Sequence, residues 1–333
     1  MSQADYELRR MPLQAYFQPE VPFIDSTGLL GLLRQAAFHD PLLLVGPTGL
    51  GKTLAVYAYA QELGLPIIEF SCTEDTRDYD LIGAFGMEGD STFFGLGALT
   101  TGIEVANEMH ARFVAKKEAG DGAILLINEC NALRPQTQKT LNPLLDFQGK
   151  LNVHKLGRAF SLDIGAKLWV VLTMNPSAYG GTNALNADFK RRVQPVYLDY
   201  PAKENELKIL MGLRAAACDD EKMAIPDAVF AEKVAGDKPF VSMLLELAGD
   251  TRSATFEYAL STADLHQICR NAALWGVPKA MLLSTFKFEE AQQRAFFVKK
   301  VQSRMGVDVA SINVLDAPAA AKPTPRRRKR KTA

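Results

Sequence analysis

Cysteine, metal-spaced histidine and long apolar runs are all scarce in this chain of 333 residues. Cysteine occurs four times, at Cys72, Cys130, Cys218 and Cys269, and never as a Cys-x-x-Cys pair. The thiols read as buried and reduced, which argues against a disulfide scaffold or a thiolate metal site. His39, His110, His154 and His266 are scattered, and none is read as a ligand or a catalytic base. No apolar run reaches the length of a membrane span. The opening "MSQADYELRRMPLQAYF" lacks the apolar stretch of a signal peptide, so the expectation is a soluble, cytoplasmic protein. There is no internal repeat.

What is present is a 47% hydrophobic chain, which suits a globular protein with a real core. The formal net charge is zero, but it is unevenly spread. Residues 317–333, "APAAAKPTPRRRKRKTA", hold seven Lys or Arg and no acid, leaving 31 basic against 38 acidic residues elsewhere. An acidic body with a basic, Pro- and Ala-rich arm suggests a folded protein with a flexible tail. The run 325–331, "PRRRKRK", suits nucleic acid, an acidic protein or an anionic surface, and equally a solubilising or localisation segment. No aromatic residue is interleaved with it, so base stacking is not suggested.

Five short apolar segments read as buried strands: "PLLLV" (41–45), "PIIEFSC" (66–72), "GAILLIN" (122–128), "KLWVVLTMN" (167–175) and "VQPVYLDYP" (193–201). Residues 1–40 read as an irregular lead-in with a short helix near "TGLLGLLRQAAF", and helical segments such as "KTLAVYAYAQELG" lie between several of the strands. Strands alternating with helices predict a parallel, three-layer α/β sheet. After Pro201 the pattern turns helical, as in "TADLHQICRNAALWG" (262–276) and "KFEEAQQRAFFVKKVQSRMG" (287–306), and a domain boundary is expected near Tyr200–Ala202.

Between the first strand and its helix lies "GPTGLGKT", Gly46 to Thr53, which fits G-x-x-x-x-G-K-[ST]. Glycines let the backbone approach phosphates closely, and the N–H groups of Gly49 to Thr53 and the positive end of the helix dipole would wrap them. Lys52 would reach the β- and γ-phosphates and Thr53 would ligate Mg²⁺. The strand "AILLINEC" (123–130) ends in Asn128-Glu129. Phosphate-loop ATPases place Asp-Glu there, the Asp holding Mg²⁺ and the Glu polarising the attacking water. Asn128 still offers a carbonyl to a metal-bound water, without charge, which should weaken metal binding. Glu129 remains as the candidate general base.

Together these features resemble the AAA+ ATPases, and within them the MoxR-like branch that includes the GvpN and CbbQ types, over about residues 20–300. The motifs that carry the resemblance are "DLIG" before an inserted loop, "RPQTQ" after the acidic strand, a segment similar to a β-hairpin before "KLWVVLTMNP", and "ALNADFKRRV". It implies a three-layer, parallel-sheet P-loop NTPase core over 1–200, a small helical lid domain over 201–306 and a disordered basic tail over 307–333. It also implies ATP and Mg²⁺ as cofactors, with Gly46, Pro47, Thr48, Gly49, Leu50, Gly51, Lys52, Thr53 and Asn128 on the nucleotide and Thr53 and Asn128 on the metal. Catalysis would fall to Glu129, to Asn175 as the first-sensor residue, and to an arginine finger at Arg192, with Arg191 close behind. A finger acting in trans implies a self-assembled ring, a hexamer in this branch, that remodels a protein partner. That partner often carries a von Willebrand factor A domain, which this chain lacks.

The branch usually has a second-sensor arginine where "LSTADLHQICR" places Ala263. Arg270 lies about two helical turns on, and the role is not transferred to it. Alternatives stay open: a nucleotide-gated scaffold with slow or no hydrolysis, or a DNA-acting motor or loader that uses the tail. "STFFGLG" (91–97), read as a loop, sets substrate contact by Phe93 or Phe94 against packing of those rings onto the core.

Overall fold

The computed structural model describes residues 6–312 except 118–119, 147–148, 177–182 and 254–255. The chain divides into two compact units, Met1–Tyr200 and Pro201–Ala333.

The first unit runs β1 (Glu7–Arg9), α1 (Leu29–Ala36), β2 (Leu42–Val45), α2 (Lys52–Leu63), β3 (Ile67–Ser71), α3 (Asp78–Ile82), β4 (Gly83–Glu88), β5 (Ser91–Leu96), α4 (Ala98–Val114) and β6 (Ala123–Asn128). It continues with α5 (Pro135–Leu145), β7 (Lys150–Val153), β8 (Arg158–Ser161), β9 (Leu168–Met174), α6 (Ala187–Lys190) and β10 (Gln194–Tyr197). The five apolar segments of the sequence form one sheet in the order β10-β2-β9-β6-β3. Every neighbouring pair is parallel.

Alternation along these strands builds three layers. Leu43, Val45, Ile68, Leu125, Ile127, Val170 and Leu172 face a core shared with α4 and with Leu141, Leu144 and Leu145 of α5. Leu42, Leu44, Ile67, Ile124, Leu126, Trp169 and Val171 face the other way, onto α1 and α2. Both faces being covered is why the strands read as continuous apolar runs rather than alternating ones. The carboxyl ends of β2, β6 and β9 share one edge of the sheet, where open α/β sheets bind ligands.

Two hairpins flank the sheet. β7 pairs with β8, as the resemblance implied. β4 pairs with β5, and β1 adds to β5 in parallel. Residues 91–96, expected to be a loop, are therefore strand, and glycines of β4 allow the hairpin's close approach. A Cβ on Gly86 would stand 2.5 Å from the ring of Phe93.

The second unit runs α7 (Lys203–Gly212), α8 (Asp227–Ala231), a minimal pair of strands β11 (Lys233–Val234) and β12 (Lys238–Pro239), α9 (Phe240–Thr251), α10 (Thr262–Thr285) and α11 (Ala291–Met305). α10 continues past residue 276, where the periodic pattern ends: Gly276 bends it with φ 77°, and Pro278 follows in the next turn. Glu206, 1% exposed, accepts both terminal nitrogens of Arg252 at 2.7 and 2.9 Å and the hydroxyl of Thr262 at 2.7 Å. One boundary needs correction. Residues 307–312, assigned to the tail from the sequence, include a 3-10 turn at Val309–Ser311 with Val309 1% exposed. An apolar side chain that finds a core holds its segment down. Residues 313–333, and with them the basic run 325–331, lie outside the described residues. Among the described residues no helix is long and apolar enough to cross a membrane.

Candidate functional site

The loop 46–51 leaves the carboxyl end of β2 and enters α2. Gly49 and Gly51 take φ of 78° and 80°, conformations that side chains with a Cβ rarely adopt. A Cβ on Gly46 would lie 2.6 Å from the carbonyl oxygen of Leu198. The N–H of Gly46 donates to the carbonyl of Met174 at 3.2 Å, tying the loop to the end of β9. No side chain caps the first turn of α2, so its N–H groups and the positive dipole end face the loop.

Lys52 is 8% exposed, and its ammonium donates to the carbonyls of Gly46 at 2.6 Å and Pro47 at 2.7 Å and to Oδ1 of Asn175 at 3.3 Å. Burial pulls its pKa down to about 8, against the opposing attraction of Glu129. Asn175 stands just past β9, and its carbonyl accepts from Nδ2 of Asn131 at 3.0 Å.

Asn128 closes β6 and is 7% exposed. Its Oδ1 accepts the hydroxyls of Thr53 at 3.1 Å and Thr173 at 3.0 Å. Its Nδ2 donates to Oε1 of Glu69 at 2.7 Å. A carboxylate can only accept, so this contact fixes which way the amide points. The exposed Glu129 follows at φ 55°, ψ 42°, a left-handed conformation in a residue with a Cβ, and its N–H donates to Oγ1 of Thr173 at 3.2 Å. Such strain costs roughly 1–3 kcal/mol and gathers at functional sites.

The geometry thus brings Lys52, Thr53, Asn128, Glu129 and Asn175 to one edge of the sheet. Arg192 is held elsewhere: Nε donates to Asp146 at 3.1 Å and a terminal nitrogen to the carbonyl of Asp188 at 2.7 Å, while Arg191 is exposed at the end of α6. Phe94 is fully buried, edge-on to Phe85, and Phe93 lies under the guanidinium of Arg9 at 4.2 Å. Packing accounts for Phe94. Ala263 is exposed in the first turn of α10, and Arg270 donates to the carbonyl of Lys222. All four cysteines are free and buried, and burial raises the thiol of Cys72 to about 12. The sequence did not single out Glu69, Thr173 or Tyr57. The available signal was one acid within an otherwise apolar strand, "PIIEFSC".

The donor set fits a small hard cation. Thr53 commits its proton to Asn128, leaving its oxygen lone pairs free to ligate. Among the described residues no group of three His, Cys, Asp or Glu converges as a metal cage. A Mg²⁺ ion would keep waters and take substrate phosphates, and so would not need an all-protein shell.

Residues 41–193 match the model of the AAA domain of the dynein-related subfamily. That match makes residues 41–193 an AAA domain. The chain is similar to the denitrification regulatory protein NirQ of Pseudomonas aeruginosa, 28% identical over 57% of this chain and 67% of that one. It is similar to the protein CbbQ of Hydrogenophilus thermoluteolus, 28% identical over 65% of this chain and 76% of the relative. It also matches the gas vesicle ATPase GvpN of Haloferax mediterranei, 23% identical over 59% of this chain and 58% of the relative. CbbQ and GvpN are the types the sequence motifs pointed to.

Proposed function

We propose that this AAA+ chain binds ATP with Mg²⁺ on the 46–53 loop, hydrolyses it at the interfaces of a homomeric ring, a hexamer, and uses the cycle to remodel a protein partner. The observation that carries this reading is the meeting of Lys52, Thr53, Asn128, Glu129 and Asn175, drawn from two strand ends and one helix, at the carboxyl edge of a parallel sheet. Loop N–H groups and Lys52 hold the phosphates. Thr53 and Asn128 would hold Mg²⁺, which when bound neutralises phosphate charge. Glu129 takes the proton of a water as that water attacks the γ-phosphorus and the bond to the ADP oxygen breaks. Asn175 orients the water, and Arg192 of a neighbouring subunit offsets charge on the γ-phosphate.

The relatives' names support a partner-directed role: one is a denitrification regulatory protein and another a gas vesicle ATPase. A separate chain with a von Willebrand factor A domain is the proposed partner, since the branch works with one. A slower variant of the same reading, in which ATP orders the ring and turnover is minor, is favoured by the uncharged Asn128 and by Ala263.

The test is steady-state ATP hydrolysis with Mg²⁺ over a wide protein concentration range, with Glu129→Gln as the blank. Activity above the blank that rises more than linearly with concentration is expected of an intersubunit site. Tight binding with turnover no faster than the blank selects the ATP-gated assembly instead. Failure to bind ATP overturns both.

A further inference from the structure

Asn128 lacks the charge expected beside the metal, yet a carboxylate touches it. Glu69 lies on β3, the sheet neighbour of β6, where Ser71 registers with Asn128 and Glu69 with Leu126. Residues two apart on a strand share a face, so Glu69 sits diagonally beside Asn128. Its Oε1 accepts the amide of Asn128 at 2.7 Å, and its Oε2 accepts the phenol of Tyr57 on α2. Both oxygens are held, and the side chain is turned toward the site although β3 is the edge strand of the sheet.

A chain of bonds follows: Glu69 carboxylate, Asn128 amide, Thr53 hydroxyl, the last step 3.1 Å. A carboxylate accepting from the amide nitrogen draws the carbonyl end more negative, and such bonds strengthen one another along a chain. The same carboxylate adds a full negative charge to the metal side of the loop.

We propose that Asn128 and Glu69 act as a pair replacing a single aspartate, the amide giving the oxygen that faces Thr53 and the metal, and Glu69, a positioning residue, giving the charge. This rests on the reading that the loop binds Mg²⁺-ATP. The pair also explains why an amide stands at 128. An aspartate there would set a second negative charge beside Glu69 and take away the amide donor that its carboxylate now accepts from.

The test is a cycle of Glu69→Gln, Asn128→Asp and the double variant, read on the full chain by fluorescent-ATP binding with and without Mg²⁺ and by direct Mn²⁺ titration of the nucleotide complex. Glutamine keeps an acceptor for the Asn128 amide and removes only the charge. Glu69→Gln is expected to weaken the divalent ion by about three- to tenfold, since Glu69 is exposed and its charge is screened. It should leave metal-free nucleotide binding unchanged. Asn128→Asp alone should gain little metal affinity and lower the thermal midpoint, whereas the double variant should recover the starting affinity.

The inference is overturned if Glu69→Gln binds the divalent ion as tightly as the parent. It is equally overturned if Asn128→Asp raises metal affinity by the same factor with and without Glu69. Loss of nucleotide binding by the parent itself, a different outcome, would sink the underlying reading.

Discussion

The ammonium of Lys52 donates to Oδ1 of Asn175 at 3.3 Å, joining residues 123 positions apart in the chain. It thereby stitches the phosphate loop to the end of β9. The same burial that makes the contact lowers the lysine to about 8.

ATP affinity should therefore fall as pH rises through about 8. Phosphates favour the charged ammonium and raise its pKa in the complex, so above pH 8 binding must take up a proton. Affinity is expected to drop by up to about tenfold per pH unit beyond that point. Calorimetry at pH 8.5 in two buffers of different ionisation enthalpy should show the uptake, and Lys52→Met should abolish it.

For the protein alone the sign is reversed. A lysine whose pKa is lower in the folded state makes stability rise between about pH 8 and the unfolded value near 10.5. Lys52→Met should raise the melting temperature at pH 7, and the gain should shrink toward pH 10.5. A gain that is independent of pH would rule out the charge as its source.

Glu129 carries left-handed strain at φ 55°. Glu129→Gly should stabilise the first unit by about 1 kcal/mol in urea unfolding and remove turnover. Glu129→Gln should remove turnover at unchanged stability. A glycine variant less stable than the parent would show that the conformation is not strained.

Arg192→Ala should lower turnover by about a thousandfold while leaving nucleotide affinity within about threefold. Arg191→Ala should do less. Mixing Arg192→Ala subunits with Glu129→Gln subunits should restore part of the activity, because some interfaces then hold one intact Glu129 and one intact Arg192. No recovery would place the finger in its own subunit or nowhere.

In the second unit, Arg252→Ala strands the carboxylate of Glu206, which is 1% exposed. A loss of about 3–5 kcal/mol is expected, and much less for the double change of Glu206→Gln with Arg252→Met. Denaturant midpoints of the two variants decide it.

Phe94→Ala should cost about 3–5 kcal/mol because the ring is fully buried. Phe93→Ala should cost much less. If partner-stimulated turnover falls in the Phe93 variant at unchanged stability, that ring meets a partner.

Much was legible in the sequence because its signals are local. Five apolar runs bounded by turn residues gave the five core strands, to within one residue at either end except for β10, which stops at Tyr197 rather than 201. Eight consecutive residues gave the phosphate loop, and "INEC" gave the two positions at the end of β6. Legibility failed where a signal was spread out or disguised. Residues 240–251 form α9, which the sequence did not single out although Ser242, Glu246 and Asp250 recur every four residues along its less buried face. Residues 91–96 read as a loop, yet they pair with β4, whose Gly83 and Gly86 allow the close approach. Val309 lies beyond the last strong helical period, yet finds a core.

The sequence by itself determined that the chain has a phosphate loop, an acidic strand end lacking one carboxylate, and a parallel α/β core. Each of these is written in contiguous residues whose backbone preferences and burial do not depend on distant partners. Only the tertiary structure decided that Glu69 stands beside Asn128, that Thr173 joins Asn128 to Glu129, and that Lys52 is buried deeply enough to lose much of its basicity. These facts depend on the strand order β2-β9-β6-β3 and on a register that sets Ser71 opposite Asn128. A register shifted by one residue would turn Glu69 to the other face of the sheet. No local stretch of sequence carries that information.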